Sequence, residues 1–242
     1  MKNRPILVVC AMKVEAKALL EKLENLQENK KYGYSFYEGN IDGQYVVMLI
    51  CGVGVINASS GLMVGIMEYN PKYVINYGIA GAMSRDIHTK DIIVGKNVVN
   101  INSYRTNKLG EGEGSNPFNW ELITFLAGEE DRYIEYNSSD YLVNLTKDIE
   151  YKNGNIFYGN ILSGDVWNNE IDRMIYFNDK YNTLVEDMES VGIYSLCNKL
   201  NIPCLAIKIV SDNSLIDEEY DREVGLYLQE YIIKYLVKIK DW

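Results

Sequence analysis

The sequence predicts the α/β class: a single-domain α/β sandwich over residues 1–242, with a central twisted mixed sheet flanked by helices. Two observations carry this. Apolar runs of about four to nine residues, rich in Val, Ile and Leu and several without clean alternation, read as strands covered on both faces. Stretches with apolar residues near helical spacing lie between them, so strands and helices alternate along the chain. No internal repeat and no clear linker divides it.

Taken in order, Ile6–Cys10 is the first strand and Lys13–Asn25 the first helix, with Val14, Ala18, Leu19 and Leu23 near one face. Tyr34–Gly39 alternates, Asp42-Gly43 signals a turn and Gln44–Ile50 returns, which predicts a hairpin whose buried half is Tyr45–Ile50. A helix over Val55–Glu68 and strands over Tyr73–Tyr77 and Asp91–Val99 come next. Asn102–Asp140 is the least regular stretch. Gly110-Glu111-Gly112-Glu113-Gly114-Ser115-Asn116-Pro117 reads as a flexible loop, with local structure expected at Trp120–Leu126 and Tyr133–Tyr136. The pattern then gives a helix over Ser139–Asp148, strands over Ile156–Leu162 and Thr183–Asp187, a helix over Met188–Leu200, a strand over Cys204–Val210 and a last helix over Asp221–Ile239.

Composition excludes several function classes. With 24 Lys+Arg against 34 Asp+Glu the formal charge is −10. A nucleic-acid binder needs a dense positive face, and a membrane-surface protein needs basic clusters. No apolar run reaches the ~18 residues that span a bilayer. Met1-Lys2-Asn3-Arg4 precedes too short an apolar run for a signal peptide, and Lys13 and Glu15 break it. Cys10, Cys51, Cys197 and Cys204 show no CxxC pairing and look like reduced core residues of a cytoplasmic protein. The one histidine, His88, leaves no His-rich metal site and no His-centred triad cluster, so no metal or cofactor is expected. Any acid–base chemistry must come mostly from carboxylates.

In an open α/β sheet, ligands bind beyond the carboxyl ends of the strands. Five clusters sit there. Ala11-Met12-Lys13-Val14-Glu15 follows the first strand; read alone, Glu15 is a first-turn carboxylate complementing the helix dipole. Cys51-Gly52-Val53-Gly54 is either a tight strand-to-helix turn or a close backbone approach to a ligand. Asn76-Tyr77-Gly78-Ile79-Ala80-Gly81 offers small residues that satisfy packing or floor a pocket. Ser163-Gly164-Asp165-Val166-Trp167 ends on an aromatic that is either core or a stacking face for a planar ring. Glu186-Asp187-Met188-Glu189 and Ser211-Asp212 put carboxylates at strand ends, where Asp212 alone reads as a cap or turn residue.

As an ordered set, Ala11-Met12…Glu15, Gly52-Val53-Gly54, Asn76…Gly78-Ile79-Ala80-Gly81, Ser163-Gly164-Asp165, Asp187-Met188-Glu189 and Ser211-Asp212 resemble the nucleoside phosphorylase/nucleosidase superfamily. They are most similar to its 5′-methylthioadenosine/S-adenosylhomocysteine nucleosidases. The resemblance runs from residue 11 to residue 212. It implies a nucleoside phosphorylase-like fold, a homodimer, and hydrolysis of a purine nucleoside's N-glycosidic bond, the two-carboxylate logic of glycoside hydrolysis applied to nitrogen.

Residue by residue, the resemblance makes Asp212 the general acid that protonates the leaving base, with Ser211 orienting it. Glu15 positions the attacking water, Glu189 binds the ribose hydroxyls and Met188 packs against the sugar. Trp167 lies against the purine, while backbone groups around Val166 and Asn168 read the base edge. Met12, Val53 and Ile79 complete the expected substrate site. Some residues depart from the pattern. Ile79 stands where phosphorylases carry a hydroxyl residue that helps hold phosphate, which favours water as nucleophile. It also departs from many methylthioadenosine nucleosidases, and Gly-Ile-Ala-Gly-Ala is similar to futalosine hydrolases, which release hypoxanthine. Lys208 stands where arginine is frequent, and the segment that helps build the 5′-substituent pocket is not recognisable in Asn100–Pro117. The alternatives are therefore a futalosine-type or other purine nucleosidase, a phosphorylase, and a nucleoside-binding protein without turnover.

Overall fold

The apolar runs become the middle strands of one sheet in the computed structural model, which describes residues 4–114, 116–122 and 135–239. The strands are β1 (Ile6–Cys10), β2 (Glu24–Lys31), β3 (Tyr34–Ile41), β4 (Gln44–Ile50), β5 (Tyr73–Ala82), β6 (Ile92–Asn100), β7 (Tyr104–Arg105), β8 (Glu121–Leu122), β9 (Glu135–Asn137), β10 (Ile156–Ser163), β11 (Thr183–Asp187) and β12 (Cys204–Asp212). The helices are α1 (Lys13–Lys22), α2 (Val55–Tyr69), α3 (Asp140–Leu145), α4 (Ile171–Tyr181), α5 (Ser190–Lys199) and α6 (Gly225–Lys238).

The main sheet runs β11-β10-β6-β12-β5-β1-β4-β3-β2, with β9 beside β6. β1 lies parallel between β4 and β5, β12 is parallel to β5, and β10 is parallel to both β6 and β11. β12 against β6 and the β2–β3–β4 pairs are antiparallel, so the sheet is mixed, as expected. A further antiparallel pairing sets Val185 opposite Ala82 and Glu186 opposite Gly81. It closes the path β11-β10-β6-β12-β5 on itself. This closure is why β5 runs on to Ala82 and β12 to Asp212, past their predicted ends. The small residues Gly78–Ala82 stay in the ladder, Gly78–Gly81 paired with β12 and Gly81–Ala82 with β11.

Helices cover both faces, with α1 against α6 and α2 against α5. Strand side chains alternate between faces. On β1, Val8 and Cys10 join Leu19, Leu228, Ile232 and Leu236 on one side, while Leu7 and Val9 join Leu62, Val191 and Ile193 on the other. A strand buried on both faces has no polar side to show, which explains its uninterrupted apolar run. Each fully buried Leu or Ile contributes roughly 1.5–3 kcal/mol of transfer free energy.

The structure corrects several expectations. The first helix stops at Lys22, and Glu24–Lys31 forms the edge strand β2 instead of a helix end. Its sequence, ENLQENKK, is charged and mostly exposed, so no apolar alternation announces it; antiparallel pairing with β3 holds it, and its charges suit an unpartnered edge. α4 was not anticipated, although buried Met174 and Phe177 mark its inner side. The short β7–β8 ladder and β9 occupy parts of the irregular stretch. The rest of the local structure expected over Trp120–Leu126 and Tyr133–Tyr136, at 123–126 and 133–134, lies outside the described residues. All four cysteines are buried and free. Among the described residues no helix is long and apolar enough to cross a membrane.

Candidate active site

The carboxyl ends of β1, β5, β11 and β12 meet the starts of α1, α2 and α5 around one cleft of about 840 Å³, part of it open to solvent. Its lining contains every residue picked from the sequence: Met12, Glu15, Val53, Ile79, Trp167, Asn168, Met188, Glu189, Ser211 and Asp212. They come from six separate chain segments, brought together by the strand order.

Glu15 is buried in the first turn of α1. One carboxylate oxygen, Oε2, accepts the backbone N–H groups of Ala11 (3.1 Å) and Met12 (2.9 Å), while Oε1 accepts that of Ile79 (3.1 Å). The helix-terminus reading thus holds for one oxygen, and the other turns toward the β5 wall. A Cβ at position 78 would lie 2.7 Å from Oε1, so any larger residue there would push this carboxylate out of its place. Burial pushes the Glu15 carboxyl above the ordinary range, against the opposing pull of the Met12 and Ile79 amides and of Lys208.

Glu189 is buried at the entry to α5, and its Oε1 accepts the Gly54 N–H at 3.0 Å. Gly54, at φ 100°, makes the turn into α2, and Asp165 Oδ1 accepts the Val55 N–H at 2.7 Å at that helix start. Burial lifts the Glu189 carboxyl to about 7, with Lys208 opposing and Asp187 reinforcing the rise. Behind these groups lies a buried ion pair, Lys208 Nζ to Asp187 Oδ2 at 2.6 Å. Burial alone would lower the Lys208 pKa, but Asp187, Glu189 and Glu15 outweigh it and raise it. One cation therefore tempers three carboxylates in a low-dielectric pocket.

Across the cleft, Ser211 donates its hydroxyl to Asp212 Oδ1 at 2.6 Å, and both residues are buried at the end of β12. Trp167, 61% exposed, stands at the mouth with its ring 5.7 Å from that of Tyr220. The structure adds residues that sequence reasoning passed over. Tyr220 sits in an irregular stretch before α6 with no local signal. Met174 comes from the unanticipated α4. Glu186 also lines the wall; it lay inside a recognised cluster but was not singled out. Asn168 is turned toward Glu186: its backbone N–H reaches Oε2 at 3.0 Å and its side-chain amide donates to Oε1. The backbone N–H of Asn168 is thereby taken up by Glu186. His88 lies elsewhere, paired with Glu218. Among the described residues no group of three or more His, Cys, Asp or Glu could hold a metal ion.

A family model described as the phosphorylase superfamily matches residues 5–231. A 5′-methylthioadenosine/S-adenosylhomocysteine nucleosidase of Buchnera aphidicola is 27% identical over 221 residues, covering 89% of this chain and 81% of that one. Two solved structures share the fold. An S-adenosylhomocysteine nucleosidase from Streptococcus pyogenes, in complex with 5-methylthiotubericidin, gives a TM-score of 0.81 at 20% identity, covering 100% of this chain and 99% of that one. A futalosine hydrolase mutant of Helicobacter pylori gives 0.77 at 17%, covering 98% and 100%.

Proposed function

From this chain's membership of the phosphorylase superfamily, we propose that it is an N-glycosidic bond hydrolase acting on a 5′-modified purine nucleoside of the methylthioadenosine/S-adenosylhomocysteine type. The observation that carries this is the convergence of Glu15, Glu189 and Asp212 on one cleft, with an aromatic ring at its mouth. In the reaction the C1′–N9 bond breaks and its electron pair leaves with the base. Asp212, held by Ser211, delivers a proton to N7, which neutralises the leaving group. The ribosyl centre becomes cationic. A water held at Glu15 attacks C1′ and gives its proton to that carboxylate, whose charge also stabilises the cation. Glu189 takes the ribose hydroxyls, Met188 packs beneath the sugar, and Trp167 stacks on the purine. Met12 and Val53 border the sugar side.

Water is the nucleophile in this reading because Ile79 offers a phosphate oxygen no side-chain hydrogen bond, and leaving such an oxygen unpaired in a buried site is costly. The buried carboxylates repel a dianion as well. The enzyme acts as a cytoplasmic homodimer. Its four free thiols support the compartment, and an exposed apolar stripe of Ile56, Met63 and Met67 along α2 supports the self-association. The test is incubation with methylthioadenosine, S-adenosylhomocysteine, adenosine, inosine and futalosine, with the released base identified by chromatography. Base release from the 5′-modified nucleosides supports the reading. Ligand-induced thermal stabilisation with no base from any of them would make the protein a binder.

A further inference from the structure

The wall that faces the purine carries a carboxylate that the proposed mechanism does not use. Glu186 lines the cleft while only 7% exposed. Its position relative to the reacting atoms follows from register. Glu186 is directly opposite Gly81 in an antiparallel pair, and residues so paired project from the same face of the sheet. A Cβ on Gly81 would lie 3.5 Å from Asp212 Oδ2. Glu186 therefore shares a face, and a neighbourhood, with the acid assigned to N7. The six-membered-ring edge of the base adjoins N7, so a purine whose N7 meets Asp212 brings that edge toward the wall formed by Glu186 and Asn168.

That wall has an unusual polarity. Asn168 spends its backbone N–H and one of its two side-chain N–H groups on Glu186, so these two donors are not free for the base. Beside the second side-chain N–H of Asn168, the wall presents the carboxylate's other lone pairs as acceptors. Adenine presents an acceptor at N1, whereas a 6-oxopurine presents an N1–H donor. On the purine-nucleosidase reading above, we infer that Glu186 is a specificity-determining residue that accepts the N1–H of a 6-oxopurine and so extends the substrate range from adenine nucleosides to their hypoxanthine counterparts. Adenine is favoured when Glu186 carries a proton to offer N1.

The charged and titratable groups around Glu186 allow both states. Burial lifts its carboxyl to about 7; the two Asn168 donors and Arg173 on α4 oppose the rise, and Asp187 beside it on β11 adds to it. Tyr104 lies beyond Arg173, and Asp212 stands across the cleft. A proton on Glu186 favours adenine below about 7, and its loss favours hypoxanthine above. Groups that serve the sugar and the nucleophile act on both substrates alike and cancel in the ratio of their rates.

The test compares kcat/KM for 5′-methylthioadenosine and 5′-methylthioinosine from about pH 6 to about pH 8, on either side of neutrality. The inosine-to-adenosine ratio rises with pH in the wild type, by about tenfold if one charge-assisted hydrogen bond is gained. In Glu186→Gln, whose amide neither ionises nor loses its shape, the ratio is flat. Thermal melts establish that the variant is folded. Binding of free adenine and free hypoxanthine, followed by calorimetry over the same pH range, gives a readout independent of turnover and should show the same crossover. A ratio that is pH-independent in the wild type, or unchanged in Glu186→Gln, overturns the inference while leaving the nucleosidase reading intact. If no nucleoside is hydrolysed, that reading fails on its own, and the binding crossover still decides the role of Glu186.

Discussion

Replacing Lys208 by Met would remove the cation from a pair in which both side chains are about 1% exposed and the charged atoms are 2.6 Å apart. Met approximates the length of the stem, so the change is chiefly electrostatic. Asp187 would be left buried with only the Ser190 groups as donors. Removing one partner of a buried ion pair typically costs about 3–5 kcal/mol, because the remaining charge keeps its desolvation penalty. For a chain of this size each kcal/mol moves the melting temperature by about 2–4 °C, so the melting point should fall by roughly 6–20 °C. Thermal melts by circular dichroism and urea titration check the magnitude. The double variant Lys208→Met/Asp187→Asn isolates the cause. With the orphaned charge gone, it should recover most of the loss, a non-additivity that contact deletion alone does not produce. A fall of less than about 2 °C in the single variant, or a double variant less stable than the single one, would refute the claim that the ion pair is what makes this carboxylate cluster tolerable.

Asp212→Asn should lower kcat by about 10²–10⁴-fold while binding of substrate survives, measured by steady-state kinetics and calorimetry. Glu15→Gln should reduce kcat more than it weakens binding, since in the proposed reaction the carboxylate acts mainly on the transition state; equal losses in both would argue for a structural role. Stability should also fall as pH rises. Glu186 and Glu189 titrate near 7 in the folded protein, raised from 4.5, so the native state holds protons that the unfolded chain releases across that window. Their contribution is fully present below about 4.5 and lost as pH passes 7, and the melting temperature should decline accordingly, less steeply in Glu189→Gln.

The sequence exposed what is repeated on both faces of the sheet and hid what pairing alone decides. Two-sided burial made β1, β5 and β12 continuous apolar runs, readable without any partner. β2 could not be read that way, because its charged residues become a strand only through β3. The cleft was legible as strand-end clusters in Glu15, Glu189 and Asp212, since glycines and carboxylates recur where chains must pass close to a ligand. The Lys208–Asp187 pair was not, as it joins residues from two strands through a closure that local pattern does not encode. Glu186 escaped for a related reason: its meaning depends on its cross-strand partner Gly81 and on Asn168 having turned its donors inward.

In the proposed reaction, water managed by Glu15 and paired with proton delivery from Asp212 cleaves the N-glycosidic bond. The most direct measurement of this is the identity of the sugar product when the best 5′-modified nucleoside is turned over in phosphate buffer and again in phosphate-free buffer. Free sugar in both, formed at similar rates alongside the released base, is the predicted result. A sugar 1-phosphate formed only when phosphate is present would contradict it and move the chain to the phosphorylase branch of its superfamily.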